Sequence, residues 1–165
     1  MLIAMSMGDL KKDDGHSTAD LSIPVNECFG CGKGNPEGMQ LDFHFDHAAG
    51  RTVCDFNLPK RYQGPPGHCH GGVIATILDE AMGKVNKLRE VIALTKSMEI
   101  EYKRPVPLFA DLTVVGWEEK VEGRAHTNVA EIRNNSGEVL ARSRGVFIAI
   151  DPKRMFKEHL PKADE

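Results

Sequence analysis

The fold class predicted by this 165-residue sequence is α+β, with one antiparallel sheet curled around a single long helix. Three observations carry it. The first is element order: two segments with strand periodicity, one with helical periodicity, then four more strand-like segments, with no alternating crossover helices. The second is that the helical segment is apolar on most of its sides and must be covered on most of them. The third is length, which argues for one domain, large enough to bury roughly two-thirds of the surface its unfolded chain exposes.

The elements follow in order. Residues 1–20 read as a solvated, flexible tail, 21–150 as the domain and 151–165 as a charged C-terminal tail. Ile23 to Gly38, rich in Gly, Pro and Asn, reads as a structured loop. Met39–Asp46 alternates Leu41, Phe43 and Phe45 with polar residues, and Arg51–Leu58 alternates in the same way. That period of two predicts two half-buried strands joined at Ala49-Gly50. The loop Pro59 to Gly67 blocks regular structure. From Gly71 to about Leu88, Ile74, Leu78, Val85 and Leu88, flanked by Ile77 and Ala81, fit one wide helical face. Val91–Arg104, Asp111–Val121, Arg124–Ile132 and Val139–Ile150 read as strands, with a hairpin turn at Asn134–Glu138. Apolar residues are expected on the outer face of the sheet as well, so a second sheet or subunit should cover it.

Charge and composition exclude several classes. The net charge of -3 gives no bulk attraction to nucleic acid or anionic membrane. No apolar stretch approaches the ~20 residues that span a bilayer. Lys11 and Lys12 follow the short apolar start, the reverse of a secretory leader, so the reading is cytoplasmic. In that setting Cys28, Cys31, Cys54 and Cys69 are expected as free thiols.

The chemistry concentrates in His70-Gly71-Gly72 at the mouth of the apolar helix, and in Asp79 within it. A helix start carries unpaired N–H groups and partial positive charge, and glycines let another molecule approach the backbone. Gly71 and Gly72 therefore suit either a carbonyl that becomes an oxyanion or simply tight helix–sheet packing. Asp79 lies eight residues on, roughly 12 Å along the helix at ~1.5 Å per residue. A carboxylate acting on that carbonyl must lie within ~3–3.5 Å of it or one water away. One helix cannot supply both groups to one substrate, whereas a second, antiparallel copy can. The spacing favours a two-fold dimer with shared sites; a solvated or salt-bridged Asp79 is the alternative.

The stretch "HGGVIATILDEAMG", preceded by "YQGPPG" and by "CFGCGKGNPEGMQLDF", resembles the hot-dog acyl-CoA thioesterases. The likeness is to the PaaI-like branch and to mitochondrial relatives carrying Cys-Phe-x-Cys-Gly, and runs from Cys28 to about Ile150. The resemblance implies a hot-dog fold, hydrolysis of acyl-CoA, no metal or organic cofactor, and paired sites in a homodimer or homotetramer. It assigns the oxyanion amide to Gly71, the base or nucleophile to Asp79, a water-assisting hydroxyl to Thr95 and the motif histidine to His70. Gln63 stands where some relatives have Asn.

Other groupings carry chemistry of their own. Cys28-x-x-Cys31 is half of a zinc set; Cys54, His68, Cys69 and His70 are the remaining candidates, but no second Cys-x-x-Cys exists, and loop packing is the preferred role. Cys69 is an alternative nucleophile. Lys96, Lys103 and Arg104, with Gly72 and Gln63, are the candidate substrate contacts, the cations facing the phosphates of coenzyme A or forming a solvated strand face. A hydratase or dehydratase using His68 or His70 with Asp79, and a non-catalytic acyl-CoA-binding module, are the alternative functions.

Overall fold

The computed structural model describes residues 11–12 and 26–159. Most of the N-terminal tail and the last residues of the C-terminal tail lie outside the described residues. The chain forms one antiparallel sheet around α1 (Gly71–Val85), which is the hot-dog fold. The strands are β1 (Lys11–Lys12), β2 (His44–Asp46), β3 (Arg51–Asn57), β4 (Ala93–Tyr102), β5 (Asp111–Glu122), β6 (Ala125–Asn134) and β7 (Val139–Ala149). Their order is β1-β2-β3-β5-β6-β7-β4, which puts β4 at an edge. A short helix, α2 (Pro152–Met155), follows, capped by Asp151.

The helix sits where its apolar pattern places it. Ile74, Ile77, Leu78, Ala81, Met82 and Val85 are buried, and Leu88 lies in a following 3-10 turn, Asn86–Arg89. Side chains from the sheet satisfy polar groups near the helix end. Thr52 Oγ1 donates to Ala81 O at 3.1 Å, and Asn128 Nδ2 donates to Met82 O and Asn86 Oδ1, both at 2.9 Å. Gly116 on β5 permits this close approach: a Cβ there would lie 2.8 Å from Ala81 O.

One expectation needs correction. The strand expected over Met39–Asp46 is only His44–Asp46. Met39 N donates to Phe29 O at 2.7 Å and Leu41 N to Gly30 O at 2.9 Å, so the backbone between them serves the preceding loop instead of the sheet. Gln40, at φ 51°, makes the bend. Leu41 and Phe43 are nonetheless buried, because the segment still crosses the core. The outer face of the sheet carries apolar residues, as expected, mixed with charged ones. Val115, Trp117, Val129 and Val146 alternate away from the helix, but so do Glu131, which pairs with Arg133 and Arg142, and Arg144, which pairs with Glu119.

Candidate active site

The loop before α1 is braced on both sides. Gly64 N donates to His68 O and His70 N to Tyr62 O, each at 2.9 Å; Cys69 N donates to Val106 O at 2.8 Å. This presents His70 in extended conformation at the helix start. Its Nδ1 accepts the Gly72 N–H at 3.0 Å, and its carbonyl accepts Val73 and Ile74. With the His70 N–H bonded to Tyr62 O, three of the four N–H groups that a helix start leaves open, those of His70, Gly72 and Val73, are satisfied. The fourth, Gly71 N–H, makes no hydrogen bond among the described residues. Tyr102 Oη donates to Gly71 O at 3.1 Å, fixing the carbonyl of the same residue.

Two turns further on, Asp79 is half-buried, and its Oδ1 accepts a 2.7 Å hydrogen bond from Thr95 Oγ1 on β4. The register of β4 on β7 shifts between Thr95 and Ser97, leaving Lys96 as the extra residue of a bulge. Thr95 faces the helix on one side of the bulge, and Met98, Ile100 and Tyr102 face it on the other. Asp79 and the Gly71 amide share one helix and are separated by about 12 Å of it.

The other expected site residues are placed as follows. His70 is the helix cap. The Gly72 amide is bonded to that cap, and the residue itself is exposed. Gln63 braces the loop: its Oε1 accepts from Lys60 Nζ at 2.6 Å and Gly67 N at 3.2 Å. Lys103 pairs with Glu101 at 2.7 Å and Arg104 with Glu138 at 3.2 Å, while Lys96 has no ion pair among the described residues. Cys69 is 4% exposed, and burial pushes its thiol up to about 11. His68 Nδ1 lies 2.9 Å from Pro66 O and His70 Nδ1 accepts from Gly72 N–H; among the described residues neither histidine is hydrogen-bonded to Asp79.

Sequence reasoning missed Tyr102 and Glu80. Tyr102 lies seven residues beyond Thr95 on the same strand, but only the bulge between them puts both on the helix side. Glu80 meets Cys28 and Cys31; the three ligand atoms lie within 4.8 Å of one another. All four cysteines are free thiols, as expected. The hydrogen bond with Cys31 is the main cause lowering the Cys28 thiol to about 6, and the same bond raises Cys31 to about 12. Burial raises Glu80 to about 7. None of Cys54, His68, Cys69 and His70 joins this group. Among the described residues, no helix is long and apolar enough to cross a membrane.

Comparison with known proteins finds relatives of this sequence and fold. Residues 66–141 match the model of the thioesterase superfamily. The chain is 33% identical over 118 residues to the acyl-coenzyme A thioesterase THEM4 of Rattus norvegicus, covering 71% of this chain and 51% of that protein. It thus spans about half the length of the curated relatives it matches. Among solved structures, a thioesterase superfamily protein superposes with a TM-score of 0.65 at 34% identity, over 68% of this chain and 57% of the other. The PaaI protein of E. coli gives 0.62 at 19% identity, over 68% and 81%. A Streptococcus mutans protein bound to acetyl CoA gives 0.59 at 19% identity, over 61% and 82%.

Proposed function

We propose, from the premise that this chain is a hot-dog-fold member of the thioesterase superfamily, that it hydrolyses acyl-CoA thioesters to a free acid and coenzyme A. The observation that carries this reading is the division of labour along α1. Its N-terminus presents an N–H without an internal partner, and its middle holds a carboxylate oriented by a hydroxyl.

The two groups are too far apart to serve one thioester, so the working unit is a two-fold dimer in which Asp79 faces the partner's Gly71. Exposed Leu94 and Tyr102 on edge strand β4, beside Thr95, fit a subunit contact there. A homotetramer is a pair of such dimers. In each site Thr95 fixes Oδ1 of Asp79, leaving Oδ2 to take a proton from water. The oxygen of that water adds to the thioester carbon, and the carbonyl oxygen, now an anion, accepts from the partner's Gly71 N–H. Collapse expels the coenzyme A thiolate, which takes up the proton. Direct attack by Asp79, followed by hydrolysis of the anhydride, uses the same groups. No metal or organic cofactor enters either route. His70 and Tyr102 act through Gly71 by holding its peptide.

Lys96, displayed by the bulge, is the first choice for a coenzyme A phosphate, with Lys103 and Arg104 released from surface pairs that are worth little in water. The relative named as an acyl-coenzyme A thioesterase and the fold relative bound to acetyl CoA support that substrate class. Free thiols suit a reducing compartment, which supports the cytoplasmic reading. The test is release of free thiol from a panel of acyl-CoAs. Release that Asp79→Asn abolishes is expected. Binding without release, or hydration of an enoyl-CoA, would overturn hydrolysis.

A further inference from the structure

We propose that Cys28, Cys31 and Glu80 form a binding site for a thiophilic divalent cation of the zinc class, with two thiolates, one carboxylate and a water as ligands. The site lies outside the hydrolytic machinery and does not depend on that reading.

Distance is the first argument. The three ligand atoms lie within 4.8 Å of one another, and Cys28 Sγ is 3.6 Å from Glu80 Oε2. Tetrahedral zinc with Zn–S of about 2.3 Å and Zn–O of about 2.0–2.2 Å needs a sulfur–oxygen edge of about 3.5 Å. The exposure of Cys28 leaves a solvent side for the fourth ligand.

The loop is shaped for the purpose. Cys28-Phe29-Gly30-Cys31-Gly32 makes a tight turn closed by Gly32 N donating to Cys28 O at 2.8 Å. Any Cβ on Gly32 would lie 2.4 Å from Cys28 N, and one on Gly30 would lie 2.4 Å from Glu80 Oε2. Gly32 is therefore needed to make the turn, and the bare Gly30 leaves room for the Glu80 carboxylate beside it. Asn26 holds the ligands from behind: its Oδ1 accepts from Cys28 N at 3.0 Å, and its Nδ2 donates to Cys31 Sγ at 3.5 Å.

Charge and softness choose the ion. Two thiolates and a carboxylate carry three negative charges, and Lys84 Nζ, 3.9 Å from Glu80 Oε1, supplies one positive charge. A divalent cation brings this partly buried group to neutrality. Sulfur ligands select zinc-like ions over magnesium or calcium. A bound ion would clamp the loop to α1 at the residue next to Asp79.

The experiment uses the full chain, reduced and stripped by chelator, then titrated with cobalt(II) and zinc. Uptake of about one cobalt with sulfur-to-metal absorption, displaced by zinc, is expected. Zinc should protect two thiols from alkylation, mapped by mass spectrometry to Cys28 and Cys31. Cys28→Ser and Cys31→Ser should lose the absorption. Near-isosteric Glu80→Gln, which tests the site even if a serine variant misfolds, should keep it but weaken cobalt binding ~10–100-fold or more. A folded, reduced chain without sulfur-to-cobalt absorption overturns the proposal. So does absorption that survives either serine change, or a Cys28–Cys31 disulfide that forms equally fast with and without zinc. Thiol release from acyl-CoA is not among these readouts, so failure here is distinct from failure of the hydrolase reading.

Discussion

Thr95 Oγ1 donates a 2.7 Å hydrogen bond to Asp79 Oδ1, joining edge strand β4 to the middle of the central helix. The bond fixes the carboxylate rotamer and leaves its second oxygen for water.

Asp79→Asn should therefore lower kcat by on the order of 10²–10⁴, the range for losing a general base. The change is nearly isosteric at a half-buried position, so circular dichroism should be unaltered. Normal turnover in the folded variant would remove Asp79 from the mechanism.

Thr95 is expected to act by holding Asp79. Thr95→Val loses a hydrogen bond to a charged group, about 1.5–3 kcal/mol, and should slow kcat by roughly 10- to 100-fold with little change in KM. Thr95→Ser keeps the hydroxyl and should restore most of the rate. Equal defects in both variants would show that the methyl group, and hence packing, is what matters.

At Gly71 a Cβ would meet Tyr102 no closer than 3.6 Å, an ordinary contact, so substitution should leave the fold intact. Gly71→Val should block approach to the amide and cost up to ~10²–10³ in turnover. Mixing Gly71→Val chains with Asp79→Asn chains tests the two-fold: a mixed dimer has one site with both groups intact. Verified mixed dimers that regain no activity would sink the shared site.

Cys69 is buried beside the loop, with its thiol raised to about 11. Cys69→Ala should keep most of its activity, and thiol reagents at neutral pH should modify Cys69 slowly. Loss of all turnover in the alanine variant would move the nucleophile to sulfur.

Arg89, just beyond α1, donates through Nε to Glu118 Oε2 at 2.6 Å, and this pairing holds the Glu118 carboxyl below the usual range. A depressed carboxyl contributes stability above its unfolded pKa and loses it as pH falls through the folded one. Glu118→Gln should cost about 0.2–1 kcal/mol at neutral pH, since Arg89 is exposed. Denaturant titrations should show that difference vanish in acid. A difference that persists there would assign the cost to packing.

Much of the fold was legible locally. The helix periodicity from Gly71, the alternation of the later strands and the turn at Asn134–Glu138 all depend on near neighbours in the chain. The turn forms as read, with Gly137 at φ 82° and Asn134 Oδ1 accepting from Ser136 and Glu138 N–H. Asp79 and Gly71 stood out by spacing alone, whereas Thr95 was singled out through family resemblance.

Tertiary structure decided the rest, because it concerns groups far apart in sequence whose meeting depends on packing. Alternation in Met39–Phe43 could not reveal that its amides would bond to the Phe29 and Gly30 carbonyls. The strand period could not reveal a bulge at Lys96, which turns both Thr95 and Tyr102 toward α1. Nor could a Cys-x-x-Cys pair name its third neighbour. Glu80 is 52 residues from Cys28, and only the seating of a glycine-tight loop on the helix brings carboxylate and sulfur to 3.6 Å.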